Sequence, residues 1–274
     1  MTETAIYLDY AASTPVDERV WERMREVSEL TCANPSSTHA AGRLAQEIIA
    51  SSTEQLAALL NTRADRLVMT SGATESDNLA IAGGARYRAN RGRHLVSMRT
   101  EHKAVTDVFE MLEKDGFDVT WVNPAPNGVL DPAVFEAALR DDTQLASIML
   151  VNNETGVIQD IEALGAICRE RDILLHVDAA QAVGKIPIDL AALPVDLMSI
   201  TAHKFYGPKG VGALYIADRP GCHVEPILFG GGQQRRIRPG TMSTELIAAL
   251  GATAAIAAGR IGDGFAHLRR LREA

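Results

Sequence analysis

The chain has 274 residues, of which 46% are hydrophobic and 23% charged, and 27 Lys+Arg against 35 Asp+Glu give a formal net charge of −8. This composition is typical of a globular protein and excludes a disordered, fibrous or low-complexity chain. The acidic balance, without any block of basic residues, argues against nucleic acid or a membrane as the main partner. Three scattered cysteines are too few for a disulfide framework, so we expect a reducing, cytoplasmic compartment.

Helical and strand patterns alternate along the chain. Two helical segments come first, at 17–30 and 39–60. Seven short β-rich runs follow, at 66–70, 94–98, 119–122, 146–151, 173–177, 197–200 and 212–216. Helical spacing fills most of the intervals, at 74–87, 105–114 and 161–171. From Thr244 we expect one helix that runs to the end of the chain.

The alternation predicts an α/β fold with a mainly parallel seven-stranded sheet between layers of helices. Most of the predicted strands are nearly continuous apolar runs rather than alternating ones. Such runs are typical of strands that are covered on both faces, which agrees with the parallel arrangement.

Polar residues follow the predicted strands, and ligands of parallel sheets bind outside the carboxyl ends of the strands. After the first strand, Thr70-Ser71-Gly72-Ala73-Thr74-Glu75-Ser76 opens a helix. Free backbone N–H groups at a helix start can cradle a phosphate, although an ordinary helix cap explains this segment equally well. His102 after the second strand and Asn152-Asn153 after the fourth are in themselves typical of a helix start and a turn.

A carboxylate and an amine follow two later strands. Asp178 ends a buried apolar run, where a carboxylate needs a cationic partner such as a protonated ring nitrogen. Lys204 follows the sixth strand, among hydroxyls and beside His203. The other four lysines lie at helix ends or in turns: Lys103, Lys114, Lys185 and Lys209. Lys204 is therefore the candidate Schiff-base nucleophile, and the combined set of groups suits pyridoxal phosphate.

Seven motifs follow one another along the chain: Leu8-Asp9-Tyr10-Ala11-Ala12-Ser13-Thr14-Pro15, Asn34-Pro35-Ser36-Ser37, Thr70 to Asn78, Glu101-His102-Lys103, Asn152-Asn153-Glu154-Thr155-Gly156, His176-Val177-Asp178-Ala179-Ala180-Gln181, and His203 to Gly210. This ordered set, which spans essentially the whole chain, resembles the cysteine desulfurases. These are pyridoxal-phosphate enzymes of the class V aminotransferase group with the type I fold.

The resemblance implies a role for each matching residue. Lys204 would hold the cofactor covalently, Asp178 would pair with its ring nitrogen, and Gln181 would hydrogen-bond its ring hydroxyl. His102 would stack on the ring and take part in proton transfer, and Asn153 would orient the substrate carboxylate. The remaining cofactor-binding residues would be Ala73, Thr74, Thr201, His203 and, from the neighbouring subunit of a homodimer, Thr241.

The implied reaction converts L-cysteine to L-alanine and leaves the sulfur as a persulfide on an enzyme cysteine. The sulfur then passes to an acceptor, either an iron–sulfur scaffold or a thiolation protein. The family carries that cysteine, and the arginine that binds the substrate carboxylate, in a C-terminal part that this sequence does not contain. Cys32, Cys168 and Cys222 match no family motif, so we assign none as the nucleophile and expect cofactor binding with little or no turnover.

The resemblance also implies a layout of three parts. We expect an N-terminal arm over 1–16, a cofactor-binding large domain over 17–243, and a connecting helix over 244–274 that leads to a largely missing small domain.

Three other functions stay open. His176 and Asp178, joined by His102 and His203, are a possible two-His-carboxylate metal site, although a metal site leaves Lys204 unexplained. A selenocysteine lyase or an aminotransferase would use the same cofactor. A non-catalytic protein that keeps the fold is the third.

Overall fold

Seven strands form a single sheet in the computed structural model, which describes residues 6–273. The strands are β1 (Leu67–Thr70), β2 (His94–Met98), β3 (Asp118–Val122), β4 (Thr143–Met149), β5 (Leu174–Asp178), β6 (Leu197–Thr201) and β7 (Gly212–Ile216). Their order is β1-β7-β6-β5-β4-β2-β3, and β7 is antiparallel to both of its neighbours while the other pairs are parallel. The prediction of an α/β fold with a mainly parallel sheet is confirmed.

Eight α-helices are described: α1 (Glu18–Leu30), α2 (Ala40–Leu59), α3 (Ala73–Tyr87), α4 (Lys103–Lys114), α5 (Pro132–Ala137), α6 (Ile161–Glu170), α7 (Thr244–Ala258) and α8 (Ile261–Glu273). Short 3-10 turns lie at Ala64–Arg66, Ala202–Lys204 and Gln233–Arg236. None of the described helices has both the length and the apolar character needed to cross a membrane. Residues 1–5 of the expected arm, and Ala274, lie outside the described part of the chain.

Two predicted elements differ from the structure by more than two residues at a boundary, and most of the others by one or two. The fourth strand begins at Thr143 rather than at residue 146, because its first polar side chains are hydrogen-bonded in the interior. Thr143 contacts the His94 ring at 2.6 Å, and the Gln144 amide donates to the Ala85 carbonyl at 3.0 Å. The single C-terminal helix that we expected is two helices, since α7 ends at its C-cap Gly259 before α8 begins. The six-residue α5 has no counterpart in the predicted elements.

Helices cover both faces of the sheet. Alternate residues of a strand face two separate cores: Leu175 and Val177 of β5 join one, and Leu174 joins the other. The first core includes residues of α2, α6 and α7, and the second includes residues of α3 and α4. α7 also packs against α1 and α2. The continuous apolar strand patterns are explained by this double burial.

The topology brings several strand ends to one edge of the sheet. β4, β5 and β6 run parallel, so their carboxyl ends share that edge, and β1 runs in the same direction beyond β7. Gly212, at the start of β7, has no side chain, so the turn after β1 can pack directly against its backbone. A Cβ on Gly212 would lie 2.7 Å from the Gly72 Cα and 2.3 Å from the Ile200 carbonyl oxygen.

Candidate active site

A cavity of about 400 Å³ lies at this carboxyl edge, next to the starts of α3 and α4 and the turn after β6. Nine of the ten predicted site residues contribute to its lining: Ala73, Thr74, His102, Asn153, Asp178, Gln181, Thr201, His203 and Lys204. Thr241 does not. It borders a smaller cavity of about 130 Å³ behind the end of β1, together with Ser71 and Gly210.

One end of the cavity is formed by the first turn of α3. Its N-cap residue, Gly72, has φ 148° and provides no side-chain hydrogen bond to the helix. A Cβ at Gly72 would lie 3.4 Å from the Thr201 hydroxyl oxygen, so the turn passes close to the end of β6. The dipole of a 15-residue helix and amides without a side-chain cap favour an anion at this end.

An ion pair fixes the turn that precedes α3. The Glu75 carboxylate accepts a hydrogen bond from the Ser71 amide at 2.8 Å, and Arg238 Nε donates to it at 2.7 Å. Arg238 follows the glycine-rich segment 230–236. This segment lies along the edge of β1, where the Gln234 side chain donates to the Met69 carbonyl at 2.9 Å and accepts from the Met69 amide at 2.6 Å.

Lys204 lies in the 3-10 turn after β6, beneath the N-terminal arm. Its Nζ donates to the carbonyl oxygens of Ala11 and Ala12 at 2.7 and 2.9 Å. The arm is held there because the Thr14 amide donates to the His203 carbonyl at 2.9 Å. Burial lowers the pKa of Lys204 below that of a free lysine, and the negative charge of Asp178 opposes this shift. A lowered pKa makes an amine more nucleophilic at neutral pH.

Asp178 is the last residue of β5 and is 5% exposed. Its carboxylate accepts a hydrogen bond from the Ala180 amide at 2.9 Å. Burial raises the pKa of Asp178, while the charges of His102 and Lys204 oppose this. No ion pair involving Asp178 forms among residues 6–273, so a cationic group in the cavity would be its natural partner.

Asp77 is a cavity residue to which the sequence analysis gave no role. It is 0% exposed, and neither carboxyl oxygen has a hydrogen-bond partner in the described structure. Burial, and then the charge of Asp178, raise the pKa of Asp77 well above its usual value. A signal was present in the sequence: an acid four residues before Ile81 lies on the apolar, sheet-facing side of the helix.

His176 lies beside Asp77 and not in the cavity lining. Its Nδ1 and Nε2 contact the Ser147 and Ser199 hydroxyls at 2.8 and 2.9 Å, and Nε2 is 3.5 Å from Asp77 Oδ1. Burial lowers the pKa of His176 to about 3. His176 is therefore part of a neutral buried network. No group of three or more His, Cys, Asp or Glu among the described residues is placed to hold a metal ion.

The two adjacent asparagines have different positions. Asn152 is buried and builds its own turn, because its Oδ1 accepts from the Glu154 and Thr155 amides at 2.9 and 2.8 Å. Asn153 lines the cavity. His102 caps α4 through Nδ1, which accepts from the Ala104 amide at 3.1 Å. In the neutral ring the proton is then on Nε2.

The cysteines lie elsewhere. Cys32 is exposed, Cys168 is buried in α6, and Cys222 is partly buried. Burial raises the pKa of the Cys168 thiol and raises that of Cys222 to about 12, so both are protonated at neutral pH. None of the three contributes to the 400 Å³ cavity.

The donor set fits pyridoxal phosphate. An anion-binding helix start lies at one end, and a buried carboxylate that forms no ion pair among the described residues lines the same cavity as a lysine of lowered pKa. These are the groups that bind the phosphate, the ring nitrogen and the aldehyde of that cofactor. Fold and site together define a pyridoxal-phosphate-dependent enzyme.

Comparisons with known proteins agree with this class. The family described as aminotransferase class-V matches residues 6–262. Cysteine desulfurase IscS of Neisseria meningitidis serogroup C (strain 053442) is 49% identical over 272 residues, covering 99% of this chain and 67% of that protein. The protein of the same name from Methylococcus capsulatus (strain ATCC 33009 / NCIMB 11132 / Bath) is 50% identical over 269 residues, covering 98% and 67%.

Solved structures give the same result. One described as a NifS-like protein has a TM-score of 0.94 at 37% identity, covering 98% of this chain and 74% of that one. Another, described as SspA in complex with cysteine, has a TM-score of 0.88 at 41% identity, covering 91% and 72%. The chain belongs to the class-V aminotransferase family and, within it, to the cysteine desulfurases, and it spans about two thirds of the length of the curated relatives.

Proposed function

We propose that this chain carries the cofactor site of a pyridoxal-phosphate-dependent cysteine desulfurase, an enzyme that converts L-cysteine to L-alanine and delivers the sulfur as an enzyme persulfide. The observation that carries the proposal is the pair of Lys204 and buried Asp178 in one cavity, in a chain 49% identical to a cysteine desulfurase. The name of that relative, cysteine desulfurase IscS, also supports the proposal that the sulfur is used to assemble iron–sulfur clusters or thio-cofactors.

When bound, pyridoxal phosphate accepts the electron pair that is released at the substrate Cα. Lys204 would hold the cofactor covalently through Nζ and would move the proton at the substrate Cα when that amine is free. Asp178 would keep a proton on the ring nitrogen by its negative charge. Gln181 would donate from Nε2 to the ring hydroxyl, since its Nε2 donates to Ala11 O, the carbonyl that Lys204 Nζ also contacts.

The phosphate would be bound at the start of α3. Ala73, Thr74, Thr201 and His203 line the cavity, and the amides of the first two and the side chains of the last three would contact the phosphate. Burial, and then the charge of Lys204, lower the pKa of His203, which favours a neutral ring that donates one hydrogen bond.

Two further residues would act on the substrate and the ring. His102 would stack on the ring, and its Nε2, which carries the proton in the neutral ring, would move protons during the reaction. Asn153 would orient the substrate carboxylate through its side-chain amide. Cys32, Cys168 and Cys222 lie outside the cavity, so we propose that residues 1–274 alone bind the cofactor with little or no turnover.

We also propose that the working unit is a homodimer in which Thr241 completes the phosphate site of the partner. Thr241 lines the smaller cavity and not the 400 Å³ cavity of its own chain. Leu228 and Phe229, in the preceding loop, are 47% and 88% exposed, as expected for residues buried by a second copy. The acceptor would be an iron–sulfur scaffold or a thiolation protein in the cytoplasm, with no direct role for nucleic acid or membrane.

The layout of an arm over 1–16, a large domain over 17–243 and connecting helices over 244–274 is likewise proposed. Limited proteolysis tests it. We expect the first cut near Gly259, where α7 ends, and cleavage within 17–243 only after longer digestion.

Reconstitution with pyridoxal phosphate tests the central proposal. We expect a visible absorption band, and after borohydride reduction a cofactor-labelled peptide that contains Lys204. Lys204→Ala should lose both, while the control Lys209→Ala, which removes another cavity-lining lysine, should keep both. A flat spectrum, or a label on another lysine, would overturn the proposal. Alanine and sulfide release from L-cysteine measures the turnover.

A further inference from the structure

We propose that Lys185 is a positioning residue that fixes the orientation of the Gln181 side-chain amide, so that Gln181 can only donate a hydrogen bond toward the cofactor's ring hydroxyl. The inference rests on the cofactor contact that is proposed above for Gln181. It concerns a lysine that the sequence analysis placed in an ordinary turn.

The geometry of three hydrogen bonds supports this role. Lys185 Nζ lies 2.5 Å from Gln181 Oε1, and Gln181 Nε2 donates to the Ala11 carbonyl at 2.8 Å. Lys204 Nζ donates to the same Ala11 oxygen at 2.7 Å. The donor end of the Gln181 amide therefore meets the amine of Lys204 at one carbonyl, in the cavity that holds the cofactor.

The chemistry of an ammonium group explains why the amide has one orientation. An ammonium has three donors and no acceptor, whereas an amide side chain has one donor end and one acceptor end. Lys185 Nζ can therefore contact only the oxygen of Gln181, and the nitrogen must face away from it. Burial, and then the positive charge of Lys204, lower the pKa of Lys185 to about 8, so the ammonium form still predominates at pH 7.

The local sequence places Lys185 where this contact is possible. The turn after Gln181 closes because the amide of Lys185 donates to the Ala182 carbonyl at 3.0 Å. Gly184 has φ 74°, and a Cβ there would lie 2.5 Å from Phe205 Cδ2. Glycine is thus required for the turn to pack against the segment that follows Lys204, and this packing returns the Lys185 side chain to Gln181.

A double-mutant cycle separates positioning from a general effect of charge or packing. The dissociation constant of pyridoxal phosphate is measured by its visible band in the full chain and in Gln181→Ala, Lys185→Met and the double variant. We expect each single change to weaken binding about tenfold, and the double variant to be no weaker than Gln181→Ala alone. Lys185→Arg, which keeps a donor-only cation, should bind within about threefold of the unchanged chain.

Lys209→Met is the control, because Lys209 lines the cavity and forms no hydrogen bond with Gln181 in the described structure. Its effect on cofactor binding should add to that of Gln181→Ala, as expected for independent sites. Thermal unfolding of the cofactor-free Lys185→Met variant shows whether it folds, and Lys185→Gln replaces it in the cycle if it does not.

The outcomes distinguish this inference from the proposed function. If Lys185→Met weakens binding as much in the Gln181→Ala background as in the unchanged chain, or has no effect at all, the positioning role is wrong and the proposed function stands. If Gln181→Ala leaves cofactor binding unchanged, the contact assigned to Gln181 is itself wrong. If the unchanged chain gives no visible band, the proposed function fails.

Discussion

Each of the two edges of the sheet has a buried aspartate, and only one of these two aspartates has an ion-pair partner in the described chain. At the amino edge, Asp196 is 2% exposed and is paired with Arg219, whose Nη2 lies 2.9 Å from its Oδ2. The same carboxylate accepts from the Leu175 amide at 2.8 Å. At the carboxyl edge, Asp178 is 5% exposed and forms no ion pair among residues 6–273; its hydrogen bond comes from the Ala180 amide.

This difference separates structural charges from functional ones. A buried carboxylate with its own arginine belongs to the folded chain, and removing either partner leaves an uncompensated charge. A buried carboxylate that has no ion-pair partner in the chain costs folding free energy, and such groups concentrate at sites that bind ligands. Asp196 and Asp178 should therefore respond to substitution in opposite ways.

Asp196→Ala should give the largest effect. It leaves the Arg219 guanidinium with only the exposed Asp172 carboxylate as an ion-pair partner in the described chain and removes the acceptor of the Leu175 amide, so we expect a loss of about 3 kcal/mol of unfolding free energy. Urea unfolding of the cofactor-free chain measures it. The control is Asp218→Ala, whose side chain is 63% exposed and paired with Arg66, for which we expect a loss of about 0–1 kcal/mol. Equal losses would contradict the distinction between the two edges.

Asp178→Asn should act on binding instead of folding. Removing an unpaired buried charge should leave the cofactor-free stability unchanged or higher. Cofactor affinity should fall by a factor of about ten or more, because a charge-assisted hydrogen bond to the ring nitrogen is lost. Denaturant unfolding and titration of the visible band measure the two quantities. Lower stability with intact affinity would show that Asp178 is structural.

His176 lies between the two edges and gives a test in pH. Burial lowers its pKa in the folded chain to about 3, whereas the pKa of a histidine in the unfolded chain is about 6.5. Between these values the unfolded chain binds a proton that the folded chain does not. The stability is thus fully present above about pH 6.5 and falls with decreasing pH, by at most about 1.4 kcal/mol per pH unit from this group.

The measurement compares urea unfolding of the unchanged chain and of His176→Gln from neutral pH downward. The other acidic groups contribute equally to both series, so the difference isolates this histidine. A glutamine keeps a donor and an acceptor toward Ser147 and Ser199, and we expect a shallower acid slope. Parallel slopes would show that His176 is not held neutral.

Glu75 also lies at the carboxyl edge but, unlike Asp178, is paired with an arginine, Arg238. Its substitution should have the smallest effect on the unfolding free energy. Burial opposes ionisation, but hydrogen bonds from Arg238 and Ser71 lower the pKa of Glu75 overall. This stabilisation is present above the unfolded pKa and is lost as the pH falls. Glu75→Gln should therefore cost about 1 kcal/mol at pH 7, and this cost should shrink as the pH falls below the unfolded pKa of about 4.3 and through the lower folded pKa. A constant difference across this pH range would exclude an ionic contribution.

Much of the architecture was predictable because its signals are local. β2 and β7 have the predicted bounds, since a short apolar run between turn residues is a direct sequence signal for a strand. Asp178 stood out because a charged residue directly after such a run needs a chemical reason, and Lys204 because it follows the sixth strand among hydroxyls and beside His203. The roles of the site residues stay predictions, although nine of the ten line one cavity.

Other features depended on contacts that no local pattern describes. The start of β4 was not predicted because its first residues, Thr143 and Gln144, are polar. Their burial is made possible by hydrogen bonds to His94 and Ala85, which lie far away in the sequence. The end of α7 at Gly259 was hidden in a continuous small-residue and apolar pattern, and the short α5 has too few turns for a periodic signal.

By itself, the order of side chains determined most of the helices and strands and the mainly parallel arrangement of the sheet, and it predicted the chemistry at the strand ends, because helix and strand periods depend on neighbouring residues alone. Only the tertiary structure decided that Asp77 lies buried beside His176 and that Gln181 bonds both Lys185 and the arm. The physical reason is that a hydrogen bond or a buried charge depends on which surfaces pack together, and residues far apart in the chain meet only after the sheet and helices have assembled.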